Sequence, residues 1–140
     1  MAASDIINEI IDGYISKSEA VIDKAGPAAG LFGFGEDPRK NACHEEFYNA
    51  LETAVSDICQ SGPSEDEAYS AAMAILSAHI EKKCPNMCMW MLSASEKLAV
   101  PLFGFLSPAS REKIRIWYDD VVPKRARLPY EKEVYRALSE

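Results

Sequence analysis

Apolar residues recur along this chain at intervals of three and four, the spacing that places side chains on one face of an α-helix. No stretch alternates apolar and polar residues long enough to predict a strand. In the first segment Ile7, Ile11, Tyr14, Ile15, Ser18 and Ile22 share a face, Ser4 is a good N-cap, and Gly26-Pro27 is a stop. A helix over about 5–25 follows. Asp37-Pro38 is a cap with proline at the first helical position, and Cys43, Phe47, Leu51, Ala54, Val55 and Ile58 carry a face to Gly62-Pro63, predicting a helix over about 38–60. Ser64 with Glu67 reads as a capping box, opening a third helix over about 65–83 that ends before Cys84-Pro85.

The fourth segment is different. From Pro85 to about Ala99 it is apolar almost all round, with Glu96 and Lys97 its only charges, the pattern of a helix enclosed by its neighbours. Ser107-Pro108 repeats the cap-plus-proline device, Ile114, Trp117, Tyr118 and Val121 supply a face, and Pro123 closes the fifth helix. A short sixth helix runs from Pro129 to about Leu138. These elements predict an all-α fold: a single domain over residues 1–140, built as an irregular antiparallel bundle around a central apolar helix at about 85–99.

Composition agrees with a globular chain. Of the 140 residues 48% are hydrophobic and 26% charged, enough for a core without staples. The formal charge of -7 argues against a nucleic-acid partner, which a basic surface would serve. The charge is uneven: residues 1–70 sum to -10 and residues 71–140 to +3, so unlike halves attract within one molecule or between two. No apolar run reaches the roughly 18 residues of a membrane helix, and the N-terminus lacks the basic and apolar regions of a secretory signal. The expectation is mature structure, no membrane partner and a cytoplasmic location, with four cysteines that make no disulfide framework and stay free.

Candidate chemistry concentrates in HIEKKCPNMC, residues 79–88. His79, Cys84 and Cys88 flank the turn between the third and fourth helices, and Cys43 with His44 at the start of the second would complete a soft-metal set for zinc or a similar ion. The spacing H-x4-C-x3-C matches neither paired zinc ligands nor cluster motifs, and buried cysteine and methionine serve equally well as packing, so no cofactor is the first expectation and metal the alternative. In CHEEFY, residues 43–48, no metal or acid–base spacing is present; His44 would face Tyr48 and Leu51, with Glu45 and Glu46 toward solvent or a neighbouring helix.

LFGF occurs twice, at 31–34 and 102–105, each time shortly before a cap and proline. The same offset aligns Phe47 with Tyr118 but His44 with Arg115, so two similar helix-entry loops explain the echo better than a duplication. The glycine-rich first copy lacks the lysine and preceding strand of a phosphate loop. Leu31, Phe32, Phe34, Phe103 and Phe105 therefore either dock on the core or form an apolar contact surface. The basic run Lys124-Arg125-Ala126-Arg127 is expected to pair with the acidic N-terminal half. Together these features predict a non-enzymatic protein that acts by protein–protein contact or self-association; the alternative is a small metal-binding or thiol-redox domain on His79, Cys84 and Cys88.

Overall fold

The computed structural model describes residues 2–25, 44–84, 86–122 and 127–140. Among these residues the fold is an all-α bundle without strands. In chain order the helices are α1 (Ala3–Ala25), α2 (His44–Gln60), α3 (Glu65–Glu81), α4 (Asn86–Ala94), α5 (Pro108–Val121) and α6 (Pro129–Ser139), with a 3-10 segment, Ser95–Phe105, between α4 and α5.

The Ser64 and Ser107 caps and the Gly62 stop act as expected, whereas Ser4, expected as the first cap, lies inside α1. Ser64 accepts from the Glu67 N–H at the start of α3, and Ser107 accepts from the Ser110 N–H at the start of α5, each satisfying an orphan donor. After α2 the chain turns through Gly62 at φ 68°, a left-handed conformation that suits glycine. Helix α1 begins slightly before Ser4, because the Ala2 carbonyl accepts from Asp5 and Ile6 and supplies the first turn itself. The start of the second helix at 38–43 lies outside the described residues.

The fourth predicted helix is two elements. Helix α4 ends at Ala94, where the Ser95 hydroxyl donates back to the Leu92 carbonyl at 2.8 Å, and the chain then tightens into the 3-10 segment. Pro101 lies inside that segment, where it has no N–H to give to a helical ladder. It is this segment that occupies the centre, packing against α2, α3 and α6, while α1 packs on α2 and α3 and α5 packs on α6. Helix α4 buries Cys88 and Leu92, one turn apart, and packs Met91 against the core, whereas Met89 and Trp90 are exposed.

One buried cluster draws on every element, with Ile11, Leu51, Ile75, Leu92, Leu102, Ile114 and Val134 among its members. No helix among the described residues is long and apolar enough to cross a membrane.

Candidate functional site

The elbow between α3 and α4 sends its side chains in two directions. His79, near the end of α3, points into the bundle, where its Nδ1 lies 3.1 Å from Oε1 of Glu96 on the 3-10 segment. Both atoms are buried, and neither has another hydrogen-bonding partner among the described residues. The second Glu96 oxygen accepts from the Tyr118 hydroxyl of α5 at 2.8 Å. Glu131, at the third position of α6, also faces this group while its carboxylate takes the Leu128 N–H at 2.8 Å and so caps its own helix.

Burial dominates the chemistry there. Glu96 has 0% of its surface exposed, and the loss of hydration pushes its carboxyl up to about 8; the Tyr118 hydrogen bond pulls it down and the Glu131 charge adds to the rise. His79 moves the other way, held below its ordinary value by burial, with Glu131 acting against that. The Tyr118 phenol is raised, first by burial and then by Glu96. Arg127 lies over the outer face of this ring, 5.4 Å from its centroid and 4.3 Å from that of Tyr135, with its guanidinium on Asp119 at 2.6 Å. It ties α5 to α6; Lys124, Arg125 and Ala126 of the same basic run lie outside the described residues.

On the other side of the elbow, Cys88 has no exposed surface and sits beside Ser18 and Tyr14 of α1. Burial raises its thiol, with the two hydroxyls partly offsetting the effect. Cys84 is half-buried and raised by burial and then by Cys88 and Glu19. Tyr14 hydrogen-bonds to Nδ1 of His44, stacks on Phe47 at 4.2 Å and is itself raised by burial. His44 is held below its ordinary value by burial, and its ring meets Trp90 edge-on at 6.3 Å.

Of the residues singled out for a soft metal, the structure thus brings Cys84 and Cys88 together and places His44 near them through Tyr14 and Trp90, whereas His79 belongs to the Glu96 cluster. Cys43 lies outside the described residues. Among the described residues no three histidine, cysteine, aspartate or glutamate side chains are arranged to share a metal ion. Of the phenylalanines, Phe103 is in the core and Phe105 is at its edge with about a third of its surface exposed; Leu31, Phe32 and Phe34 lie outside the described residues.

Sequence reasoning passed over two features. Glu96 was simply one of two charges on an apolar segment, because its partners come from three other helices. Trp90 stood inside a segment read as enclosed, yet it is the most exposed large apolar side chain described, at 62%. Met89, beside it, and Ile80, across the elbow, are also exposed. No family model, no curated protein and no solved structure matches this chain.

Proposed function

We propose that this chain is a self-associating protein-interaction module in which the exposed side of α4 meets a second copy of itself. The observation that carries the reading is Trp90, exposed on a helix whose opposite side, Cys88 and Leu92, is anchored in the core. A large rigid aromatic side chain presented in this way is the kind of anchor that dominates interface energetics. The segments that flank it expose charges of both signs. The start of α2, whose His44 touches Trp90, exposes Glu45, and the end of the α3 elbow exposes Lys83. A two-fold contact centred on Trp90 pairs the same patch with itself, and this reading assigns Glu45 of one copy to Lys83 of the other as its complementary charges.

The wider charge asymmetry, -10 in the first half and +3 in the second, favours the same pairing of unlike surfaces. The four cysteines, at spacings that form no disulfide framework, support placing the module in the reducing cytoplasm.

Sedimentation equilibrium across a micromolar concentration series tests this reading with the full chain and with Trp90→Ser. The expected result is a concentration-dependent dimer for the parent and a folded monomer for the variant. A parent chain that stays monomeric throughout, or a Trp90→Ser variant that dimerises equally well, overturns it.

A further inference from the structure

The Glu96 cluster has no role in the contact surface of α4, and no chemistry of association calls for a carboxyl at the centre of the bundle. Taking a charged carboxylate out of water is strongly unfavourable unless a cation or several donors replace the lost hydration. The groups facing Glu96 are His79 from α3, Tyr118 from α5, and Glu131 with Tyr130 from α6. They offer the Tyr118 hydroxyl as a donor, a Tyr130 hydroxyl already shared with Ser93, one imidazole and a second acid. On its remaining sides the 3-10 segment meets α2, where Lys97 lies 5.9 Å from the Tyr48 ring, and α4, where Ser93 shares a hydrogen bond with Tyr130. Arg127 stays beyond the Tyr118 ring, held by Asp119.

A neutral carboxylic acid satisfies this arrangement completely. Its Oε1–H donates to Nδ1 of His79, its Oε2 accepts from Tyr118, and the imidazole keeps its own proton on Nε2. An ionised carboxylate would instead require the imidazole proton on Nδ1, and it would meet Glu131 as a nearby like charge in a buried site. We propose that Glu96 and His79 form a proton-holding lock, in which one buried proton fastens the central 3-10 segment to α3 and α5 and its release loosens the bundle.

The direction of the pH dependence follows from both partners. Glu96 titrates in the folded protein near 8, above its ordinary 4.5, so its contribution is fully present below 4.5 and is lost as the pH rises through 8. His79, with a folded value below 6.5, contributes stability above 6.5 that is lost as the pH falls. The two oppose each other below 6.5. Between 6.5 and 8 only the Glu96 effect of this pair remains, and rising pH weakens the fold.

Urea unfolding of the full chain and of Glu96→Gln at pH 6.5 and pH 8 measures the lock. The amide keeps both hydrogen bonds, donating to His79 and accepting from Tyr118, but carries no titrating proton. The expected result is an unfolding constant that rises toward the limit of about tenfold per pH unit for one proton in the parent, with that rise missing from the variant. Equal pH dependence in the two overturns the proposal. Should the variant not fold, infrared spectroscopy of parent protein with isotope-labelled glutamate decides the matter. A protonated-carboxyl band at pH 6.5 that fades through 8 supports the lock, and its absence at 6.5 overturns it.

Discussion

The carboxylate of Glu65, the first residue of α3, accepts the Ser107 backbone N–H at 2.8 Å and the Ser110 hydroxyl at 2.6 Å, so one helix start caps another. Ser107 is itself the N-cap of α5, and its own hydroxyl is engaged with Ser110. Glu65 thus serves the donor that the cap residue cannot satisfy alone, and it places a negative charge at the positive end of the α5 dipole. Hydrogen bonding to the Ser107 side chain first, then to the Ser110 hydroxyl and the Ser107 backbone N–H, holds its carboxyl well below the usual range, at about 2.

Glu65→Gln is expected to lower stability at neutral pH and to flatten the acid limb of unfolding. A depressed carboxyl contributes stability that is present above 4.5 and lost as the pH falls through about 2, and the amide has no such contribution to lose. Acid titration of both proteins by circular dichroism checks this. Parallel curves between 4.5 and 2 count against the cap.

Tyr118→Phe removes the hydroxyl donor from the buried Glu96 oxygen. The expected loss is about 1–3 kcal/mol, the range for a buried polar atom left unpaired. Because the Tyr118 bond favours the ionised carboxyl, its removal also moves the Glu96 titration further upward. Urea titration gives the first quantity and a carboxyl-resolved pH titration the second; an unchanged or lowered Glu96 titration contradicts the bond's assigned role.

The limits of the sequence reading can be seen in these same residues. Ser64, Ser107-Pro108 and the Gly62 stop are legible because capping is settled within four residues of chain. The 3-10 segment carries a local signal too, Pro101, but the apolar run around it reads as one continuous helix face. Glu96 carries no local signal at all. Its burial is set by Tyr118, 22 residues further on, and by His79 and Glu131 on two other helices, so only the packed structure shows that the charge on an apolar segment is a buried acid. Trp90 is the converse case: an all-round apolar pattern cannot tell a helix enclosed by the bundle from one that leaves a side open.

The thiols are expected to be sluggish toward alkylation. Burial is the first cause of a raised pKa at Cys59, Cys84 and Cys88, and the thiolate is the reactive form. In a pulse of iodoacetamide followed by peptide mass mapping, Cys59 and Cys84 label slowly. Each is expected to accelerate about tenfold per pH unit while the pH stays below its pKa. Cys88, with no exposed surface, labels only when the protein unfolds. Fast labelling of Cys88 in the folded protein contradicts its placement beside Ser18 and Tyr14.

A charge swap examines the proposed two-fold contact independently of Trp90. If Glu45 of one copy faces Lys83 of the other, Glu45→Lys sets two lysines against each other and Lys83→Glu sets two glutamates. Each single change is then expected to weaken dimerisation, by about 1 kcal/mol per pair at low salt and less as salt screens the rim. Both residues are exposed, so neither change disturbs the core. The double swap restores opposite charges across the interface and with them most of the lost affinity, whereas two unrelated surface effects would simply add. Sedimentation of the parent, both singles and the double in low and high salt separates these outcomes. Recovery confined to low salt supports the pairing of Glu45 with Lys83, and a double variant weaker than either single rules that pairing out.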